Sequence, residues 1–84
     1  MYFVYIISNP SNILYKGYTR NIVKRLEYHN SGKSKYTRNK GPWKLVFIKT
    51  FSDKSEALKY EIKLKKQNNK YLNWLIQSEN NEMN

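Results

Sequence analysis

The sequence predicts a single α+β (mixed α/β) domain, and three observations support this. The chain has 84 residues, enough for one small core but too few for two. Two runs of β-branched and aromatic residues, 2–7 and 13–18, flank the turn-forming Asn9-Pro10-Ser11-Asn12 and indicate a hairpin. Two later segments, 20–30 and 54–66, carry apolar residues at helical spacing. With a third strand between these helices and a short helix after them, the predicted order is β-β-α-β-α-α.

The first strand is apolar on both faces. Period-two alternation places its side chains in two sets, which are Phe3, Tyr5 and Ile7 on one face and Tyr2, Val4 and Ile6 on the other. We therefore expect other elements to cover this strand on both sides. The third strand, residues 43–51, follows the same alternation.

The chain is expected to end in a short helix and a disordered tail. The apolar residues of this helix, which could close over the sheet, are Tyr71, Leu72, Trp74 and Leu75. Residues 78–84 are polar and have no periodicity. The predicted domain therefore covers residues 1–77, followed by a disordered polar tail at 78–84.

Composition excludes several kinds of site. The chain has no cysteine and one histidine, so disulfides, thiolate or histidine zinc sites and a cysteine nucleophile are excluded. Any metal must be held by carboxylates and water. The apolar residues 1–7 lack a basic leader and are too short for a signal core or a membrane span. We therefore expect a cytoplasmic protein without a membrane partner.

The net charge indicates a polyanionic partner. Sixteen Lys and Arg residues against six Asp and Glu give a formal charge of +10. So strong a field on so small a domain favours nucleic acid over an acidic membrane surface. The alternative is a lysine-rich composition without a binding role.

Gly17 is predicted to form a structural turn between the second strand and the first helix. A glycine there lets the backbone turn tightly and approach another group closely. Either Thr19 or Asn21 can cap the helix that follows.

Arg25 and His29 are four residues apart in the first helix and therefore share a face. The guanidinium fork suits phosphate oxygens, and the imidazole is an acceptor or a cation near pH 7. The pair can therefore converge on one anionic group. The alternative is a solvated arginine beside a partly covered histidine.

Tyr5 and Tyr15 lie on adjacent antiparallel strands, at distances from the turn that could bring them together. If they share a sheet face, two phenol hydroxyls project beside the start of the Arg25 helix. The alternative is that both are core aromatics with their hydroxyls at the rim.

The connection at residues 30–42 is rich in glycine, serine and cations. Its cations, interleaved with Tyr36, are Lys33, Lys35, Arg38 and Lys40. Such a loop suits contact with a phosphodiester backbone. The alternative is a mobile loop decorated with lysines.

Glu61 is the most informative residue of the second half. Residues 54–66 form a helix whose predicted apolar arc consists of Ala57, Leu58, Ile62 and Leu64. Glu61 falls inside this arc, where a carboxylate is costly unless something compensates its charge. The compensating group is either a lysine or Arg25, or else a hydrated Mg²⁺ or Mn²⁺ ion.

Five positions in order resemble the GIY-YIG nuclease domain. They are the tyrosines of Val4-Tyr5-Ile6 and Tyr15-Lys16-Gly17, followed by Arg25, His29 and Glu61. The segments HNSGKSKYTRNKGPWKLV and KSEALKYEIKLKK are similar to the middle and second-helix segments of small single-domain bacterial members. The resemblance covers residues 2 to about 76.

The resemblance implies a three-stranded antiparallel sheet flanked by helices, and metal-dependent hydrolysis of phosphodiester bonds. Tyr5 and Tyr15 resemble the motif tyrosines, one of which activates or positions the attacking water. Arg25 resembles the arginine that steadies the scissile phosphate, and Glu61 the sole protein ligand of one Mg²⁺ or Mn²⁺ ion. His29 occupies an active-site position that holds histidine or tyrosine in relatives.

Some positions depart from the family pattern. Val4 replaces the glycine of the first motif, and Lys16 replaces an apolar residue of the second. Tyr18 stands where some relatives have a lysine, and Asn73 is a candidate for an asparagine that serves some of them. We take Lys16 and Tyr18, with the four loop cations, as candidate nucleic-acid contacts.

Three functions are therefore weighed. The first is an endonuclease, monomeric or weakly dimeric, that acts on DNA in preference to RNA and prefers single strands or particular structures to particular sequences. The second is a nucleic-acid-binding module without catalysis, and the third is a protein-interaction domain on the same fold. The first is favoured, because five chemically coherent positions occur together.

Overall fold

A computed structural model describes all 84 residues of the chain. It confirms the predicted order β-β-α-β-α-α. The elements are β1 (Tyr2–Ser8), β2 (Leu14–Thr19), α1 (Ile22–Asn30), β3 (Lys44–Phe51), α2 (Lys54–Lys65) and α3 (Asn69–Gln77). The three strands form one antiparallel sheet in the order β2-β1-β3. The first strand of the chain is therefore the central strand of the sheet.

The central position of β1 explains why both of its faces are apolar. Val4 and Ile6 are fully buried in a core cluster with residues of β3, α2 and α3. Tyr5 and Ile7 point to the opposite face, where they pack with Trp43 in a second, smaller cluster. The strand thus separates a main core from a polar and aromatic face, on which the candidate site lies.

The arc predicted for α2 is wrong at Ile62, whose exposed fraction is 54%. The buried residues of α2 are Ala57 and Leu64. At about 100° per residue Ile62 lies about 140° from Ala57, so it faces solvent. Glu61 lies only about 40° from Ala57 and is half-buried, with 16% of its side chain exposed.

Gly17 does not form the turn that the sequence predicts, because it lies inside β2 and pairs with Tyr5 of β1. The chain instead leaves the strand after Thr19, and the Asn21 side chain caps α1 by accepting a hydrogen bond from the Lys24 amide at 3.0 Å. Gly17 is needed for close approach. A β-carbon there would lie 2.6 Å from Cζ of Tyr5 and still closer to its hydroxyl oxygen. The Tyr5 ring therefore crosses the strand at Gly17.

The tail differs from the disordered segment that its composition predicts. Asn81 is 2% exposed, and its amide nitrogen donates to the carbonyl oxygens of Val46 and Ile76, both at 2.8 Å. The Glu82 carboxylate accepts bonds from the amide and hydroxyl of Thr50 at 2.7 and 2.6 Å. Because β3 is an edge strand, it offers backbone groups that polar side chains can satisfy. The tail therefore packs along β3.

Asn81→Ala is expected to lower the free energy of unfolding by about 1–3 kcal/mol, because the Val46 carbonyl oxygen loses its side-chain donor and the Ile48 amide loses its side-chain acceptor. Urea unfolding followed by circular dichroism measures the change. The control is Asn80→Ala, which removes an exposed amide one residue away. Equal losses in the two variants would show that the Asn81 contacts do not hold the tail.

Candidate active site

Tyr5 is the centre of the site. Its side chain is 2% exposed, and its hydroxyl is 2.9 Å from Nε2 of His29. The ring reaches this position because Gly17, directly opposite on β2, has no side chain to block it. The close approach of strand and ring thus brings the phenol to the last turn of α1.

His29 lies between the two motif tyrosines. It is 3% exposed, and its ring centroid is 4.9 Å from that of Tyr15 and 6.0 Å from that of Tyr5. Tyr15 lies on β2 and pairs with Ile7 of β1. Because Ile7 and Tyr5 are on the same face of β1, Tyr15 shares that sheet face. Nδ1 of His29 is 2.8 Å from the hydroxyl oxygen of Thr37. The histidine is therefore held at both ring nitrogens.

Arg25 lies one turn before His29 on α1 and is half-buried. Its guanidinium carbon is 5.4 Å from the centroid of the Tyr28 ring, within the range of a cation–π contact. It forms no ion pair, since the one ion pair of the protein joins Lys65 and Glu61. Its positive charge acts on both Tyr5 and His29. The guanidinium is thus free to bind an anion beside the phenol.

Glu61 approaches the site from α2. Its carboxylate is 3.6 Å from Nζ of Lys65, one helical turn later. Because 54% of the lysine side chain is exposed, this pair contributes about 1 kcal/mol or less and can be displaced. The carboxylate is near enough to Tyr5 to raise the pKa of its phenol. Of the partners predicted for Glu61, the structure shows a lysine rather than Arg25.

Burial controls the protonation of the central pair. It raises the pKa of Tyr5 far above its usual range, with smaller contributions from Tyr15 and Glu61, while Arg25 opposes the rise. Burial also lowers the pKa of His29, and the charge of Arg25 adds to this effect. Near neutral pH the site therefore holds a neutral phenol against a neutral imidazole.

Acid is expected to destabilise the protein through His29. Its pKa in the unfolded chain is near 6.5, and the folded value lies lower. Below about pH 6.5 the unfolded chain binds more protons, so the free energy of unfolding falls as the pH falls. Urea midpoints at pH 7.5 and 5.5 measure this, and His29→Gln should show a smaller difference between them. An unchanged difference in that variant would assign the acid sensitivity to other groups.

The residues present fit a loosely held hard cation and no closed metal cage. No three His, Asp or Glu side chains of the 84 residues converge on one point. Glu61 is the one carboxylate that acts on Tyr5. A single carboxylate suits Mg²⁺ or Mn²⁺, which keep several waters and take further ligands from a substrate phosphate.

Two of the predicted nucleic-acid contacts lie on β2 but differ in their surroundings. Tyr18 lines an open cleft between β2 and α1, whose other members include Arg20, Lys24, Arg25 and Tyr28. No acidic residue lines this cleft. Lys16 pairs with Ile6 on the opposite sheet face from Tyr5, and its ammonium group donates to the Leu14 carbonyl oxygen at 3.4 Å.

The remaining predicted positions are dispersed. The four loop cations, Lys33, Lys35, Arg38 and Lys40, are exposed. Asn73 is exposed too and lines a separate cavity of about 740 Å³ with Ser8 and Asn9, at the far end of β1. It is therefore not brought to Tyr5.

Sequence reasoning missed four residues of this region: Arg20, Lys24, Tyr28 and Thr37. Lys24 and Tyr28 are four residues apart on α1 and adjoin Arg25 and His29, so their helical spacing was a usable signal. Arg20 lies just before the Asn21 cap of that helix. Thr37 gave no such signal, because it lies in a loop between the exposed Tyr36 and Arg38.

No helix combines the length and the apolar character that a membrane span requires.

Comparison with known proteins gives a consistent result. The family model of the GIY-YIG catalytic domain matches residues 1–77. The UPF0213 protein of Oceanobacillus iheyensis is 43% identical over 65 residues, which are 76% of each chain. The UPF0213 protein YazA of Bacillus subtilis is 37% identical over 81 residues, covering 95% of this chain and 82% of that protein.

A solved structure also agrees with the fold. The solution NMR structure of the UPF0213 protein BH0048 from Bacillus halodurans superimposes with a TM-score of 0.63 at 33% identity. The match covers 99% of this chain and 90% of that one. The family model covers both motif tyrosines and extends through Arg25, His29 and Glu61, the residues that the fold brings together. The chain belongs to the GIY-YIG family.

Proposed function

We propose that this chain is a divalent-metal-dependent endonuclease that hydrolyses phosphodiester bonds in DNA. One observation supports the proposal above all others. Tyr5, Tyr15 and His29 pack together, and the charges of Arg25 and Glu61 act on the Tyr5 phenol. These five residues are the ones that match the family pattern. The family is one of nucleases, so a catalytic role fits this arrangement better than a purely structural one.

Each of these residues has a role that its surroundings support. Arg25 binds the scissile phosphate and neutralises the charge that builds up as water attacks. Tyr5, a neutral phenol, orients the attacking water by hydrogen bonding, and Tyr15 completes the pocket from the same face. His29 holds the Tyr5 hydroxyl in place at 2.9 Å.

Glu61 would hold the metal ion by displacing Lys65 from its carboxylate. A bound Mg²⁺ or Mn²⁺ ion supplies Lewis-acid stabilisation of the phosphate and lowers the pKa of a coordinated water. The lone carboxylate explains why such an ion would depend on substrate oxygens for further ligands.

The surface around the site suits a flexible strand with accessible bases. The cleft beside Arg25 combines Arg20 and Lys24 with the exposed ring of Tyr28, which is 40% exposed. Cations bind phosphates in any sequence, and aromatic rings stack on unpaired bases. We therefore propose single-stranded or branched DNA as the substrate, with little sequence specificity. One such site cuts one strand, so a monomer or weak dimer would nick.

A non-catalytic nucleic-acid-binding module is the second candidate. The observation that favours it is the ion pair between Glu61 and Lys65, which leaves the carboxylate with a protein partner. This candidate predicts salt-sensitive binding of oligonucleotides without any cleavage.

Labelled single-stranded, duplex and branched DNA oligonucleotides, with matched RNA strands, test the proposal. Each is incubated with the protein and Mg²⁺, Mn²⁺ or a chelator, and products are resolved on denaturing gels. We expect cleavage that needs the metal and is fastest on single-stranded or branched DNA. Binding without cleavage in either metal would favour the second candidate, and faster RNA cleavage would overturn the choice of substrate.

A further inference from the structure

Trp74 faces solvent, although the sequence predicts that it closes over the sheet. Its exposed fraction is 58%, whereas Leu72 and Leu75 of the same helix are buried. At about 100° per residue, Trp74 lies about 160° from Leu72 around α3. The helix therefore buries its apolar face in the core without using the indole.

Trp74 ends a row of aromatic rings that crosses α2 and α3. Its ring centroid is 5.7 Å from that of Tyr71, with the two planes at 39°. Burial raises the pKa of the Tyr60 phenol on α2, and the neighbouring phenol of Tyr71 adds to the rise. Nζ of Lys49 is 5.9 Å from the Tyr60 ring, within the range of a cation–π contact. We call Lys49, Tyr60, Tyr71 and Trp74 the aromatic row.

The helices that carry the aromatic row are positively charged. Residues 54–77 contain six lysines and two glutamates, and one of these glutamates, Glu61, is already paired with a lysine. No acidic residue lies on α3, where Lys70 precedes Trp74 by one helical turn. On α2, Lys63 follows Tyr60 by three residues and lies on the same side of the helix. Ammonium groups therefore accompany the rings, and they favour a partner that carries negative charge.

Among the possible partners, nucleic acid fits the aromatic row best. A helix that binds a membrane surface presents a wide apolar face to lipid, but the other apolar residues of α3 are buried or half-buried in the core. In a symmetric contact between two copies, the same lysine-rich surface would face itself, in chains that each carry a charge of +10. Unpaired bases stack on exposed aromatic rings, and their phosphates bind lysines.

We propose that the aromatic row is a second binding surface for single-stranded nucleic acid, on which Trp74 stacks against a base while Lys63 and Lys70 contact the adjoining phosphates. Every base has a flat face, so this contact accepts DNA or RNA of any sequence. The helix α3 packs on the sheet face of Val4, and Tyr5 lies on the opposite face, so the row is outside the candidate active site. The choice of partner rests on the proposed function, because the row would hold a strand that is cut elsewhere along its length.

Tryptophan emission reports this contact directly, because the only other tryptophan, Trp43, is 4% exposed. The full-length protein is titrated with a labelled single-stranded DNA oligonucleotide, or the matched RNA, in the presence of a chelator. We expect both strands to quench the emission, with the same midpoint as the rise in anisotropy of the label. Binding without quenching would overturn the proposal. A protein that binds and is quenched but never cleaves with metal would refute the nuclease function and leave this surface standing.

Variants of Trp74 separate stacking from a general apolar contact. Trp74→Leu keeps an apolar side chain without a flat ring, so we expect the affinity for the oligonucleotide to fall about 5- to 100-fold. Trp74→Phe keeps a flat ring and should retain most of the affinity. The control is Ile62→Ala, which removes a side chain that is 54% exposed and lies about 160° from Tyr60 around α2, and it should bind as wild type does.

Three results would overturn the proposal. The first is wild-type affinity in Trp74→Leu, which would show that no base stacks on the indole. The second is a blue shift of the emission with phosphatidylserine vesicles but no quenching by oligonucleotides, which would assign the surface to a membrane. The third is a blue shift with rising protein concentration, again without quenching, which would assign it to a second copy of the chain.

Discussion

Arg25→Ala is expected to slow DNA cleavage about 10²- to 10³-fold, while the affinity for DNA falls much less. The guanidinium acts on both Tyr5 and His29 and has no carboxylate partner. Its main contribution would therefore be made to the charge that develops on the phosphate during attack. Single-turnover cleavage and fluorescence anisotropy binding, on the same oligonucleotide, separate the two effects.

The matched control for this variant is Lys59→Ala. Lys59 is an exposed cation on α2 with no contact to the site, so its removal changes the net charge equally. Because Arg25 also lines a small apolar cavity with Tyr5 and Leu26, thermal unfolding of both variants checks that the fold is kept. Equal losses of cleavage in the two variants would reduce Arg25 to one of many general electrostatic contacts.

Gly17→Ala is expected to abolish cleavage and to lower the free energy of unfolding by about 1–3 kcal/mol. The added methyl group would lie 2.6 Å from Cζ of Tyr5, so the ring must move away from its bond to His29. The backbone conformation itself accommodates an alanine, since Gly17 lies in a regular strand. Cleavage rates and urea midpoints measure the two effects.

Gly41→Ala serves as the control for the glycine substitution. A β-carbon at Gly41 would have its nearest neighbours at 3.4 to 3.5 Å, which is ordinary contact. This variant should keep both its stability and its activity. If Gly17→Ala behaves like Gly41→Ala, the ring of Tyr5 does not need the space that Gly17 leaves.

Much of the site could be predicted because its spacing follows the periods of the elements. Arg25 and His29 are one helical turn apart, and Glu61 lies on the same side of α2 as the buried Ala57 and Leu64. The two apolar faces of β1 indicated a strand covered on both sides, which the central position confirms. Such local patterns predict the structure well because the face that they mark as buried is the face that packs in the tertiary structure.

The features that could not be predicted depend on contacts between distant segments. The bond between Thr37 and His29 joins a loop to a helix, and the contacts of Asn81 join the tail to the open edge of β3. Neither contact produces a periodic pattern in the sequence, because nothing distinguishes the hydroxyl or amide that forms it from the others in the same polar segment. Gly17 was misread for a related reason, since a glycine before a helix suggests a turn whether or not a ring crosses it.

The two departures from the family motifs are explained by the sheet. Val4 stands where the first motif has glycine, and it is fully buried on the face opposite Tyr5. Lys16 pairs with Ile6 on the same opposite face. Both changes therefore lie behind the site and leave the arrangement of Tyr5 and Tyr15 intact.

The most direct test of a metal-dependent nuclease site compares wild-type protein with Glu61→Gln, prepared identically. Metal-dependent cleavage and DNA binding are measured on one single-stranded oligonucleotide across a titration of Mn²⁺. We expect wild type to cleave and Glu61→Gln to be inactive at every metal concentration, with DNA binding equal or tighter because a negative charge is lost. Cleavage by Glu61→Gln at the wild-type rate would contradict the site that we assign.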